Sequence, residues 1–236
     1  MVALDEKARV ALADVGVTEQ EIAELETRVL TPTVGLLLYG SRARGDYLDH
    51  SDFDLLRLAF GDFRTFKLRR LSVSTYTPGQ LASASGTLFG THLLRDGKIL
   101  FDPTGTLAAT LSKVTPATPE DLMANVRRYS MVLDLPSPER AAHVAGLVRL
   151  TRYLLRTAIY AKAMQQGRPC FSVRELAIRF DDPPLATLLA SDPHLLEPPS
   201  LALLDHLTAR LVGVVDRKST RLNSSHAGLS RMPSSA

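Results

Sequence analysis

In the first hundred residues the apolar positions fall into short runs, and turn-forming residues mark where each run stops. Val34 to Tyr39 is an apolar run that ends at Gly40-Ser41. A short apolar run bounded by glycine predicts a buried strand. Leu55 to Phe60 resumes the pattern as a second strand, ended by a turn at Gly61-Asp62. Leu68 to Thr77 predicts a third strand closed by Pro78-Gly79, and Lys98 to Phe101 a short one between Asp96-Gly97 and Asp102-Pro103. Residues 4–14 carry a mixed pattern that fits a short helix. Thr18 followed by Glu21 reads as a capping box. It opens a helix to about Leu30, with Ile22, Leu25 and Val29 on one face and Thr31-Pro32 as its stop. Further helical stretches are predicted near 79–84 and 87–95.

From Thr118 onward the pattern is helical throughout. Pro119 at a first helical position opens a helix to about Leu133. Ser137-Pro138-Glu139 opens a longer one to about Gln166, stopped by Gly167 and Pro169. Its apolar residues, among them Val144, Leu147, Val148, Leu154, Leu155, Ala158 and Ile159, cover more than one face, as in the central helix of a bundle. Ser172 to Phe180 is a short helix with a capping look. Pro183-Pro184 and Pro198-Pro199 separate two more helical segments. The change of character sets a domain boundary between Pro103 and Thr118.

The candidate chemistry lies between the first two strands. Ser51 is followed by Asp52-Phe53-Asp54. Side chains alternate along a strand, so the two carboxylates share one face and Phe53 takes the other, toward a core. Like charges on one face repel and are best tolerated with a cation between them. Hard oxygen ligands and a few waters describe a magnesium site with Asp52 and Asp54 as ligands. Gly40 allows close backbone approach, and Ser41 offers a hydroxyl and an N–H at the start of a helix; the combination suits a phosphate.

Gly40-Ser41, Ala43-Arg44-Gly45 and Ser51-Asp52-x-Asp54-Leu55 together resemble the signature of the nucleotidyltransferases of the DNA polymerase β superfamily. The nearest likeness is to small bacterial members of the aminoglycoside type. The resemblance implies an α+β fold: a small mixed β-sheet nucleotidyltransferase domain over residues 1–110, then a C-terminal helical bundle domain over 118–215. It also implies transfer of a nucleoside monophosphate from a nucleoside triphosphate, with ATP the expected donor, to a hydroxyl of a small-molecule acceptor, releasing pyrophosphate. Asp52 and Asp54 would be catalytic metal ligands for Mg2+. Gly40, Ser41 and Ser51 would hold phosphate, and Arg42 and Arg44 would add charge to the triphosphate or stand in a solvated loop. The pattern departs from the family at one point. A third carboxylate is expected on the third strand, on the face of the pair, but the alternating residues there are Ser72 and Ser74. Two other readings stay open: a nucleotide- or partner-binding module of the same fold, and a protein- or RNA-modifying enzyme of a toxin–antitoxin or phage-defence system.

Composition refines this picture. The tail 216–236 resembles translated sequencing adapter and is set aside as a non-native, disordered segment, with the native chain expected to continue differently. The whole chain has 28 Lys+Arg against 25 Asp+Glu; the tail carries four basic residues and one acidic, which leaves 24 against 24. Balanced charge counts against nucleic acid as a partner. Arg149, Arg152 and Arg156 line one side of the long helix, facing an anion or solvent. Cys170 is the only cysteine, so no intrachain disulfide and no cysteine-based zinc site can form. With no apolar run of membrane-spanning length and no signal-peptide pattern, no membrane partner and a reducing cytoplasm are expected. The sequence leaves a homodimer open.

Overall fold

The computed structural model describes residues 4–61, 64–189 and 197–216. Asp62 of the predicted turn and tail residues 217–236 lie outside the described residues. The fold class is α+β. Among the described residues one mixed sheet is built from β1 (Gly35–Tyr39), β2 (Phe53–Leu58), β3 (Phe66–Leu68), β4 (Leu71–Tyr76) and β5 (Lys98–Phe101). Their order is β3-β4-β2-β1-β5. β2 and β4 run parallel, and the other neighbouring pairs are antiparallel.

The predicted third strand, Leu68 to Thr77, is β4 from Leu71, and its first residue, Leu68, ends a separate strand, β3. β3 and β4 fold back on each other around Arg69-Arg70, with Lys67 opposite Ser72. Arg69 takes a positive φ of 49° there. A reversal built without Gly, Asn or Pro leaves no turn signal, so the pattern reads as one run.

Alternation gives the sheet two apolar faces. Leu36, Leu38, Phe53, Leu55, Leu71 and Val73 pack with Ala8 and Leu12 of α1 (Glu6–Asp14) and with Ile22 and Leu25 of α2 (Glu19–Arg28). Leu37, Leu56 and Leu58 face the other way. They pack with Leu81 of α4 (Pro78–Ala82; α3 is Gly40–Arg44, at the end of β1), Leu93 of α5 (Leu88–Asp96), and Leu107 and Leu111 of α6 (Thr106–Leu111). The sequence pattern did not predict α6. Arg57 is buried on the α1–α2 side, where its guanidinium donates to the Thr31 and Thr33 hydroxyls.

The helical part follows as α7 (Pro119–Ser130), a 3-10 turn at Met131–Asp134, α8 (Ser137–Ala142), α9 (Val144–Gln165), α10 (Val173–Arg179), α11 (Pro184–Leu188) and α12 (Leu201–Asp216). The single long helix predicted from Ser137 is broken at His143, whose φ of −112° and ψ of 14° end α8. No proline or glycine stands at the break, so the apolar spacing runs through it. The chain divides into two compact units, 1–122 with 160–196 and 123–159 with 197–236. The first holds the whole sheet; the 103–118 segment lies inside it. No described helix is long and apolar enough to cross a membrane.

The predicted capping box at Thr18 is formed, and Glu21 does more than cap. Its carboxylate accepts from Arg70 Nε at 3.0 Å and Nη2 at 2.9 Å, and from the Thr18 N–H at 3.0 Å. One buried acid thus ties the start of α2 to the residue preceding β4. These bonds, Arg70 first, hold the Glu21 carboxyl down at about 2. An acid whose folded value is depressed stabilises the fold above its ordinary range and loses that contribution as pH falls through the folded value. Arg70 is part-exposed, which screens the pair. Glu21→Gln is expected to cost about 2 kcal/mol at pH 7, with the difference from the parent shrinking toward pH 2; urea unfolding across pH measures it.

Candidate active site

Strand β1 stops because Gly40 turns it. Gly40 takes a φ of +75°, a conformation that L side chains rarely adopt, and α3 (Gly40–Arg44) starts there without a side-chain cap. Gly45 ends the helix at φ +86°, and its N–H donates to the Ser41 carbonyl at 2.9 Å. The chain then loops back through 46–52 into β2, where Asp54 pairs in register with Tyr39.

Gly40 answers a second need. A β-carbon at position 40 would lie 2.3 Å from Asp54 Oδ2. The Asp54 carboxylate therefore comes close to this glycine in the protein itself. Gly40→Ala meets both the strained φ and this overlap. A loss of about 2 kcal/mol or more in chemical denaturation is expected, with part of it recovered in an Asp54→Gly background.

Asp52 and Asp54 come to one side of the sheet, as alternation predicted, and Phe53 is buried on the other. Their environments differ. Asp52 Oδ2 pairs with Lys67 Nζ at 2.7 Å, while no hydrogen bond or ion pair to the Asp54 carboxylate is found among the described residues. Burial first, and the charge of Asp52 second, push the Asp54 carboxyl up to about 6; Arg44 and Lys67 oppose them. An acid raised by folding costs stability once it ionises. That cost is absent below about pH 4, grows as pH rises, and is complete above pH 6. Asp54→Asn is thus expected to stabilise the chelator-treated protein by about 2 kcal/mol at pH 7.5 and to leave it unchanged at pH 4, read from thermal melts.

The remaining residues predicted for the site divide. Arg44 pairs with Asp46 at 3.2 Å and with the buried Asp96 of α5 at 3.3 Å, and its charge still reaches Asp54. Arg42 turns the other way. Its Nε donates to the Ser51 carbonyl at 2.9 Å, and its guanidinium lies 4.0 Å from the Phe53 ring centroid. It braces the loop from the core side and is not brought to the carboxylates. The Ser51 hydroxyl accepts from the Leu48 N–H at 2.9 Å and so closes the same loop. The Ser41 hydroxyl has no hydrogen-bond partner among the described residues.

The third-strand expectation is met in its geometry. Ser72 lies in register beside Asp54, and Ser74 beside Leu56, on the carboxylate face. Neither is acidic. Ser74 instead shares a hydrogen bond with the Tyr39 phenol, which burial and then Asp54 push up to about 12. Tyr39, Tyr76 and Phe89 form an aromatic wall on this face, with Tyr39–Phe89 centroids 5.7 Å apart and Tyr76–Phe89 5.6 Å apart. Sequence reading did not find Lys67 or Asp96: both reach the site through tertiary contacts, far from the motif in sequence.

The donor set suits a hard divalent cation. It offers two carboxylates on one face, the deeper one raised by burial and then by its neighbour's charge, and with no hydrogen bond or ion pair among the described residues. No cluster of three or more His, Cys, Asp or Glu ligands is present among the described residues. Mg2+ is held by one or two carboxylates together with substrate phosphates and water, which is what this site provides for. Elsewhere Arg149 is exposed, Arg152 donates to the Glu197 carbonyl at 3.5 Å, and Tyr153 is exposed while Tyr160 is buried with its hydroxyl on the Phe171 carbonyl. Cys170 is buried, and burial pushes its thiol up to about 11.

No protein-family model matches the chain, and no curated protein matches it. Among solved structures it is similar to a toxin–antitoxin with AMP-PNP, at 17% identity and a TM-score of 0.29, over 50% of this chain and 95% of that one. It is similar also to a nucleotidyltransferase-like protein from Exiguobacterium sibiricum, at 15% identity and a TM-score of 0.31, over 84% of this chain and 74% of that one. Likenesses at these scores carry no functional weight of their own.

Proposed function

We propose that the chain is a nucleotidyltransferase that uses Mg2+ and a nucleoside triphosphate, ATP in the first instance, to pass a nucleoside monophosphate to a hydroxyl of a small molecule. One observation carries the reading: Asp54, seated on the α-carbon of Gly40 and beside Asp52, puts an unpaired carboxylate next to the uncapped first turn of α3. Anion-accepting N–H groups and cation-accepting oxygens then stand side by side, which is what a metal-bound triphosphate requires.

Asp52 and Asp54 would hold the metal. Bound there, Mg2+ would neutralise charge on the phosphates and on the attacking oxygen. The N–H groups of Gly40 and Ser41 and the Ser41 hydroxyl would take the outer phosphates. Arg44, half-buried and anchored by Asp46 and Asp96, adds positive potential at the carboxylates without needing to move. Positioning and charge neutralisation supply most of the rate in such transfers, so the protein need not donate a nucleophile. Arg42 and Ser51 would act by shaping the 46–52 loop.

A second reading has its own observation. Ser72 and Ser74 occupy the face where a third carboxylate is expected, and Ser74 is engaged by Tyr39. This favours a module that binds nucleotide without turnover. The test incubates the chain with Mg2+, α-labelled nucleoside triphosphates and a panel of hydroxylated small molecules, aminoglycosides included. The proposed activity gives label transfer that falls by about a hundredfold or more in Asp52→Asn and in Asp54→Asn. Mg2+-dependent nucleotide binding with no transfer gives the second reading instead. Neither binding nor transfer overturns both.

A further inference from the structure

We infer that Lys67 is a built-in cation of the carboxylate pair, a positioning residue that holds Asp52 and limits the site to one divalent ion. This rests on the metal-binding reading proposed above. The register makes the arrangement specific. Asp54 of β2, Ser72 of β4 and Lys67 of β3 lie in one row across three strands, on the same face. Neighbouring strands are about 4.8 Å apart, so Lys67 starts roughly two strand spacings from Asp54. Ser72, between them, is short. Lys67 Nζ stands 2.7 Å from Asp52 Oδ2.

The charge count follows. Two carboxylates and one ammonium leave one net negative charge at the metal position, where three carboxylates would leave three. A pair of divalent ions bridging attacking and leaving oxygens is matched to a site richer in carboxylates. Here Lys67 takes up half of the charge of the pair, and Asp54, which has no such partner among the described residues, is left as the principal ligand. Lysine suits the role, because its ammonium is a compact point charge on a flexible stem. Sitting on the short strand β3 at the sheet edge, with a mostly exposed side chain, Lys67 can be replaced without opening the core.

The test titrates the full chain with Mn2+ alone and counts bound ions by electron paramagnetic resonance, with circular dichroism confirming that each variant is folded. The parent is expected to bind one ion. Lys67→Met, which keeps the stem and removes the charge, is expected to bind Mn2+ about tenfold more tightly, as expected from removing a unit charge a few ångströms from a divalent ion in a water-exposed site. Lys67→Arg, which keeps the charge, stays within about twofold of the parent. Two ions in the parent, or a Lys67→Met affinity within about twofold of it, overturns the role of Lys67 and leaves the metal site standing. No binding by the parent or by Lys67→Met overturns the metal site itself and this inference with it.

Discussion

The Asp54 carboxylate occupies the space where a side chain at position 40 would begin, and the site depends on that contact. It joins the end of β1 to the start of β2 at closer range than any residue but glycine permits. The same glycine supplies the left-handed turn that starts α3. One residue type thus satisfies a backbone requirement and a steric one. Asp54 is fixed as a consequence: it is paired in register with Tyr39 on one side and Ser72 on the other. Asp52, two residues earlier and just outside the strand, lies at the rim, where Lys67 can reach it. The two acids of the motif therefore differ in kind. One is deep, raised and without a partner; the other is shallow and paired.

The two sides of the sheet divide the work around this contact. On the α1–α2 side everything is bracing. Phe53 is buried, Arg42 and Arg70 stack their guanidinium groups on its ring, and Arg70 is clamped by Glu21. On the carboxylate side the polar groups are left for a ligand, against the wall of Tyr39, Tyr76 and Phe89. The arginines of the GSRAR segment follow this division. Successive even positions on a helix do not share a face, so Arg42 goes to the bracing side while Arg44 goes to Asp46 and Asp96.

What the sequence made legible and what it hid follow from the range of the interactions. The motif, its strand–turn–strand setting, the shared face of Asp52 and Asp54, the burial of Phe53 and the capping box at Thr18 are set by neighbours a few residues apart. Alternation and capping chemistry reach that far. Even the vacancy of acid at Ser72 and Ser74 was readable, since β4 alternates cleanly. Lys67 was not, because it sits on a three-residue strand of which only Leu68 falls in the predicted run, behind a turn with no turn residues. Asp96 was read only as part of a turn; its burial under Arg44 belongs to the packing of α3 on α5. The break at His143 was hidden for the opposite reason: an apolar period that continues through a bend contains no sign of the bend.

The absence of a third acid and the presence of Lys67 are one fact about charge. A carboxylate at position 72 would stand beside Asp54, already raised to about 6 by burial and by Asp52, and would raise it further in the absence of metal. Serine removes that repulsion. The ammonium then lowers the cost of Asp52 and, more weakly, of Asp54. A site arranged in this way needs less from added cations to remain folded. It also has less field with which to gather them, because potential lost to an internal counter-ion is no longer available to a divalent one. Lower dependence on metal for stability and weaker metal capture are therefore two results of the same exchange of an acid for a base, which makes ion binding, ahead of turnover, the property in which the exchange should be most visible.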